Sequence, residues 1–190
     1  LLARLGYAGV EGYGGLYADP AALRRDLDAN GLATPTGHFG IDQLRDKPRV
    51  VEIARTLGIN TVICPFIAQE SWKQSDAEWV SFAQELAELG KFYTDQGFGF
   101  GWHNHHFEFW PTEGGRTPME IILETATDID WEMDVAWVTR GESNPADWIE
   151  KYGQRITAVH VKDIAPEGEA TDEDGWADVG HGTMGWNALL

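Results

Sequence analysis

The stretch Phe98-Gly99-Phe100-Gly101-Trp102-His103-Asn104-His105 decides the fold, because it alternates like a strand and ends in a run of polar residues. Successive residues of a strand point to opposite faces. The three aromatic residues therefore share one face, which suits packing against helices. Gly101, His103 and His105 share the other face, which suits the interior of a closed sheet.

The same unit, a helix followed by a short apolar strand, repeats in both directions from this stretch. Strands are predicted to end at 9–11 and to span 32–38, 61–66, 98–105, 129–134 and 156–161. Helices are predicted over 19–30, 48–57, 75–96, 117–127 and 144–152, with a last one beginning near Thr183. Residues that cap helices support these boundaries, notably Asp19 before Pro20 and the Ser75/Glu78 capping box.

Strands and helices that alternate at this spacing indicate a parallel α/β sheet. Two architectures fit: a doubly wound open sheet and a closed (β/α)₈ TIM barrel. No glycine-rich phosphate loop follows a predicted strand, which argues against the nucleotide-binding form of the open sheet. A complete barrel takes about 250 residues. We therefore expect residues 1–190 to form a single TIM-barrel domain, incomplete in this chain because its first and eighth strands lie outside it.

The composition narrows the classes of partner. The chain has 31 Asp and Glu residues but only 14 Lys and Arg residues, so its net charge is −17. Such a surface repels a phosphate backbone, so no nucleic acid partner is expected. No apolar run approaches the roughly 20 residues of a membrane helix, so no membrane partner is expected either. Cys64 is the single cysteine, which fits a reducing, cytoplasmic location, although an export signal could precede residue 1.

All six histidines fall at a predicted strand end or in a loop after one. The carboxyl ends of parallel strands form the functional face of such folds. Side-chain parity brings His103, Asp134 and His160 to one point from three neighbouring strands. Two neutral imidazoles and a carboxylate suit Mn²⁺, Zn²⁺, Fe²⁺ or Co²⁺ better than Mg²⁺ or Ca²⁺. The alternative for each histidine is an ordinary hydrogen-bonded residue at a strand end.

Five ordered segments resemble the xylose isomerase-like TIM barrels known as sugar phosphate isomerases/epimerases. Residues 101–109, GWHNHHFEF, look like the HNHxxEF motif of that family. The segments 134–137 (DVAW) and 159–163 (VHVKD) are similar to its metal-binding strand ends. The segments 6–11 (GYAGVE) and 180–186 (GHGTMGW) are similar to its opening and to its GxGxxDW stretch. Gly185 and His181 depart from the last pattern, where Asp and Glu are common.

The resemblance implies one metal ligand on each of four consecutive strands. His103, Asp134 and His160 match three of these positions, and the fourth, usually Glu, would lie beyond Leu190. Many members have Glu where His103 stands, and His105 has the same parity as His103. Mn²⁺ is the metal most expected, with Zn²⁺, Co²⁺, Fe²⁺ and Mg²⁺ as alternatives.

The resemblance also implies a small carbohydrate substrate, and an isomerase or epimerase that removes a proton next to a carbonyl. Glu108 and Lys162 are the candidate catalytic residues; anchoring a loop and forming a salt bridge are their alternatives. Glu11, His38 and His105 are candidate substrate-binding residues, the first two from the opposite rim.

Three loop tryptophans on the same face, Trp110, Trp137 and Trp176, either stack on a sugar ring or pack. Competing functions are a lyase that dehydrates a keto-inositol or opens a keto-glycoside, an abasic-site nuclease, which the acidic charge disfavours, and a metal-free carbohydrate-binding barrel. Family members are often oligomers, so a homo-oligomer is a further expectation.

Overall fold

Six strands form one parallel sheet in the computed structural model, which describes residues 1–189. They are β1 (Gly12–Tyr13), β2 (Thr36–His38), β3 (Thr61–Cys64), β4 (Gly99–His103), β5 (Asp130–Asp134) and β6 (Ile156–His160). Their order in the sheet is their order in the chain. A doubly wound sheet reverses its strand order at a switch point, so the open-sheet alternative is wrong and the barrel architecture is confirmed.

The sheet is curled into a half-barrel. Glu11 immediately precedes β1 and His160 ends β6, at opposite ends of the sheet order. Neighbouring strands lie about 4.8 Å apart, so five spacings in a flat sheet would separate these strands by roughly 24 Å. Instead, Glu11 Oε2 lies 2.9 Å from His160 Nε2. The curvature thus brings the two edges of an incomplete (β/α)₈ barrel to one point.

Eight α-helices accompany the strands within residues 1–189. They are α1 (Pro20–Asn30), α2 (Ile41–Arg45), α3 (Lys47–Leu57), α4 (Asp76–Asp95), α5 (Pro118–Thr125), α6 (Val135–Arg140), α7 (Pro145–Tyr152) and α8 (Trp186–Leu189). The predicted caps are confirmed: Asp19 Oδ1 accepts a hydrogen bond from Ala22 N, and Ser75 and Glu78 form a reciprocal capping box. The short helices α2 and α6 were not predicted, because five or six residues are too few to establish a helical period.

The sequence-based boundaries need three corrections. The first strand lies at Gly12–Tyr13, after the predicted 9–11, where a single bridge joins Gly9 to Ala33. An antiparallel pair, β7 (Asp163–Ile164) with β8 (Trp176–Ala177), follows β6 and was not predicted. The last helix begins at Trp186 rather than near Thr183, and Leu190 lies outside the described residues.

The aromatic faces of the central strands pack against helices, as the parity of their residues predicts. Trp102 of β4 makes an edge-to-face contact with Phe82 of α4, with ring centroids 5.6 Å apart. Trp131 of β5 contacts Trp148 of α7 in the same way. On the edge strand β6 the corresponding face is less well covered, since Val159 is 45% exposed.

None of the helices described combines the length and the hydropathy that crossing a membrane requires.

Arg155 fixes the start of β5, and we expect its replacement to weaken the fold. Its guanidinium donates hydrogen bonds to the carbonyl oxygens of Leu123, Ala126 and Ile129, which connect α5 to β5. The ammonium of R155K cannot reproduce this planar fork. The free energy of unfolding, measured by urea denaturation, should fall by about 2 kcal/mol, whereas the exposed control R25K should change it by less than about 0.5 kcal/mol. Equal stability of the two variants would contradict this role.

Candidate metal centre

Four side chains from four strands converge at the carboxyl ends of the sheet. His38 ends β2, His103 ends β4, Glu132 lies in β5 and His160 ends β6. Each offers one donor atom, and these four atoms all lie within 4.8 Å of one another. We call this group the metal cluster. It depends on the curvature of the sheet, because β2 and β5 are separated by two strands.

The Glu132 carboxylate is the centre of the metal cluster and is only 1% exposed. Its Oε2 atom lies 2.6 Å from His38 Nε2, 3.3 Å from His103 Nδ1 and 3.5 Å from His160 Nε2. A buried carboxylate is tolerated only where partners compensate for its lost hydration. Here three imidazoles take that role.

The electrostatics of the cluster follow from this burial. Burial alone would raise the pKa of Glu132, but the neighbouring imidazoles of His103 and His38 outweigh it and hold that pKa below its usual range. Burial would lower the pKa of His160, yet contacts with Asp134 and Glu11 and the charge of Glu132 raise it to about 10. Burial dominates at His103 and lowers its pKa. The cluster therefore pairs an ionised carboxylate with a protonated His160 and a neutral His103.

The donor set fits a divalent transition metal. Four tetrahedral ligand atoms about 2.0–2.2 Å from one ion lie about 3.4 Å from each other. The donors farthest apart would therefore move together, and Glu132 Oε2 and His38 Nε2, now 2.6 Å apart, would separate. The buried Nδ1 of His103 has no hydrogen-bond partner of good geometry, and neither has the buried Oε1 of Glu11 beside the cluster. Imidazoles with one carboxylate are ligands that Zn²⁺, Mn²⁺, Fe²⁺ and Co²⁺ accept.

Asp134, the carboxylate proposed as a ligand from the sequence, lies at the edge of this cluster. Its Oδ2 atom is 3.8 Å from His160 Nδ1 and 2.8 Å from Lys162 Nζ. Its Oδ1 atom accepts a hydrogen bond from Trp137 N and caps helix α6. Burial opposes its ionisation, but His160 and Lys162 lower its pKa. Its role as a ligand remains a prediction, while Lys162 forms its salt bridge with Asp134 rather than with Glu132 or Asp163.

Asn104 locks the ends of β4 and β5 together and is fully buried. Its Oδ1 accepts hydrogen bonds from Trp131 Nε1 and from the backbone N–H of Asp134, at 2.8 and 3.0 Å. Its Nδ2 donates to the carbonyl oxygen of Asp134 at 3.1 Å. Asn104 therefore fixes the register between His103 and Asp134, a structural role that the sequence alone did not indicate.

Glu108 has contacts that favour the loop-anchoring alternative. It is fully buried, and its carboxylate accepts hydrogen bonds from His105 N and from Trp102 Nε1. Burial raises its pKa to about 8 despite these bonds. Its side chain closes the turn that follows β4, so that His105 and the next residues are held in place.

Glu11 and His38 were expected on the opposite rim, but His38 belongs to the cluster and Glu11 lies in direct contact with it. Glu11 Oε2 is 3.1 Å from His38 Nε2 and 2.9 Å from His160 Nε2. The reason is again the curl of the sheet, which leaves no separate rim on that side. His105 lies one ring away, with its centroid 5.1 Å from that of His103, and burial lowers its pKa to about 3.

Sequence reasoning missed two donor residues of the cluster. Glu132 stands two residues before Asp134 and so has the same inward parity, which was a usable signal. His38 was assigned to substrate binding because the curvature that brings β2 to β5 cannot be deduced from the spacing of strands.

Comparisons with known proteins agree with this fold. No family model matches the chain. A curated relative, inosose dehydratase from Clostridium botulinum, is 32% identical over 97 residues, which are 49% of this chain and 31% of that protein. The match thus spans about a third of that relative's length.

Three solved structures are similar at low sequence identity. A sugar phosphate isomerase/epimerase from Parabacteroides distasonis has a TM-score of 0.74 and 20% identity, over 89% of this chain and 69% of its own. The probable 3-DHS dehydratase AsbF from Bacillus anthracis has a TM-score of 0.72 and 11% identity, over 99% of this chain and 79% of its own. The IOLI protein, whose structure holds a zinc atom, has a TM-score of 0.73 and 17% identity, over 99% of this chain and 75% of its own. The chain therefore has the (β/α)₈ TIM-barrel fold of these structures, in agreement with the resemblance of its motifs to the xylose isomerase-like barrels.

Proposed function

We propose that this chain is the metal-binding part of an isomerase or epimerase that moves a proton next to a carbonyl of a sugar-like substrate. The observation that carries the proposal is the convergence of three imidazoles and a buried carboxylate at the carboxyl ends of the strands. Such a site sits where enzymes of this fold bind substrates. The proposed metal is Mn²⁺ or Zn²⁺, and the ligands proposed from the geometry are His38, His103, Glu132 and His160.

The surrounding residues suggest how the reaction would be organised. When bound, the metal supplies Lewis acidity to adjacent hydroxyl and carbonyl oxygens of the substrate. Glu11, 22% exposed and in contact with two imidazoles of the cluster, is placed to accept a carbon-bound proton. Lys162 holds its ammonium 2.8 Å from Asp134 and 5.3 Å from the Trp137 ring, and its charge would face a developing oxyanion. Glu108 would act by fixing the loop rather than by proton transfer.

A dehydratase is the second candidate, because the curated relative is an inosose dehydratase and AsbF is a probable dehydratase. Both reactions begin with the removal of a proton next to a carbonyl. They differ in the next step, since a dehydratase expels a hydroxyl group and leaves an unsaturated product.

Metal binding tests the ligand set. We expect the full-length protein to bind about one Mn²⁺ or Zn²⁺ per chain, and E132Q to lower that affinity at least about tenfold, because it removes the central charge of the cluster. The matched control E124Q changes an exposed carboxylate on α5 and should leave affinity unchanged. Affinity would be measured by isothermal titration calorimetry and metal content by elemental analysis. D134N is the discriminating variant: a loss as large as that of E132Q would assign Asp134 to the ligands.

Metal uptake should release a proton at neutral pH. The pKa of His160 is raised to about 10 from its ordinary 6.5, so the imidazole is protonated at pH 7, whereas a ligand must be neutral. Metal affinity should therefore rise with pH up to about 10. Protonation of His160 also contributes to the free energy of unfolding of the metal-free protein. That contribution is complete below pH 6.5 and is lost above about pH 10. Calorimetry in two buffers of different ionisation enthalpy measures the released proton, and zero release at pH 7 would contradict this protonation state.

Isotope exchange tests the reaction. With metal-saturated protein in D₂O, we expect deuterium to enter the carbon next to the carbonyl of at least one member of a panel of ketoses and keto-inositols. Removal of the metal with a chelator should abolish the exchange. The variant E124Q, the control of the metal-binding test, should retain it. An unsaturated product, detected by its ultraviolet absorbance, would select the dehydratase instead. Absence of both exchange and elimination across the panel would refute the proposed class of reaction.

A further inference from the structure

A band of six rings extends outward from the metal cluster along the same face of the barrel. We call it the aromatic wall; its members are Phe66, Trp72, His105, His106, Trp110 and Trp137. Phe66 and Trp110 are 41% and 44% exposed, and the other four are only partly covered. A contiguous group of aromatic side chains that stays exposed at a protein surface is a candidate binding site.

The inner end of the aromatic wall is His105, whose ring is next to that of His103 in the cluster. The His105 ring lies 5.1 Å from His103, and it is flanked by Phe66 at 5.7 Å and Trp137 at 5.5 Å, measured between centroids. A molecule whose reacting carbon lay at the metal cluster would therefore have its next ring against these side chains.

The outer half of the wall is built around His106. Its ring lies 4.7 Å from Trp110, 5.0 Å from Trp137 and 5.3 Å from Trp72. Trp72 is itself held firmly, because it stacks on the buried Phe107 at 4.3 Å. A cavity of about 500 Å³, in the range of ligand pockets, adjoins the outer end of the wall, where it is lined by Trp72 and Trp110 together with Phe107 and not by the two histidines.

Two polar atoms in the wall are left without partners. The Nδ1 atoms of His105 and His106 are buried and make no hydrogen bond in the described structure. An unpaired buried polar atom costs stability, and a bound ligand or water is one of the ways in which such an atom gains a partner. Burial and the nearby Arg140 lower the pKa of His106, so it meets a ligand as a neutral imidazole, which suits hydroxyl groups.

We propose that the aromatic wall is a second subsite, which binds the second ring of a glycoside or disaccharide whose first ring is held at the metal cluster. The apolar face of a ring would stack on the indoles, and its hydroxyls would bond to the imidazoles of His105 and His106. The substrate class is then a two-ring carbohydrate rather than a monosaccharide or a keto-inositol. This inference rests on the proposed function, because the cluster must hold the first ring.

The test compares one-ring and two-ring probes on the metal-saturated protein by calorimetry. The probes are methyl glucoside, phenyl glucoside in both anomers, and cellobiose and maltose. At least one of the two disaccharides should bind about tenfold more tightly than methyl glucoside, whereas tighter binding of phenyl glucoside alone would overturn the assignment to a second sugar ring. The ratio of the affinity for the disaccharide to that for methyl glucoside should fall toward one in W110A. The same fall is expected in H106F, which keeps an aromatic ring but not its nitrogens. The control Y7A, which removes an exposed ring elsewhere, should preserve the ratio.

The outcomes separate this proposal from the proposed function. If neither disaccharide binds more tightly than methyl glucoside, or if the preference survives in both W110A and H106F, the subsite is refuted. If the preference is present and sensitive to these variants in a protein that shows no isotope exchange, the subsite is supported and only the proposed reaction fails. Circular dichroism of each variant verifies that the fold is intact, and W110A, which changes a residue at the exposed rim, serves if H106F does not fold.

Discussion

The contact of the buried Glu132 carboxylate with three imidazoles is the interaction on which the rest of the site depends. Moving an ionised carboxylate out of water costs several kcal/mol even after the protein relaxes. The structure offsets this cost with imidazoles from β2, β4 and β6, which reach one oxygen atom from three directions. These contacts are available only when the sheet is curled, so the charge of Glu132 and the curvature of the barrel require each other. A substitution that flattened the sheet would leave an uncompensated buried charge.

A second set of contacts, outside the cluster, holds the neighbouring loops in place. Asn104 bonds to the backbone of Asp134 on both sides, and Asp134 then caps α6 and binds Lys162. Beyond β6, the carboxylate of Asp163 accepts hydrogen bonds from the backbone N–H groups of Gly180 and Met184. The loop that these bonds close carries β8, whose Trp176 ring lies 5.0 Å from the Lys162 ammonium. The position of Lys162 is thus set by elements that are distant in sequence.

The sequence predicts the fold well because hydrophobic periodicity and helix caps are local signals. Alternation in β4 places Trp102 outside and His103 inside, and the Ser75/Glu78 capping box sets the start of α4. The composition of the cluster is harder to predict, because it depends on how far the sheet bends. Parity marks Glu132 and Asp134 equally, and only the three-dimensional structure shows which carboxylate faces three imidazoles. Two-residue strands such as β7 carry no periodic signal at all.

The charge around the cluster gives a reason for a metal rather than a fixed salt bridge. Three carboxylates, Glu11, Glu132 and Asp134, lie within reach of His160 or Lys162, in a chain whose net charge is already −17. Without a metal, a proton on His160 supplies the missing positive charge, which is why its pKa is raised. A divalent cation could replace that proton and supply one charge more, and it would free an imidazole nitrogen to act as a ligand. On the proposed function, the same feature that stabilises the metal-free fold would prepare the site for exchange of a proton against a metal ion, and would link the affinity of the site to pH.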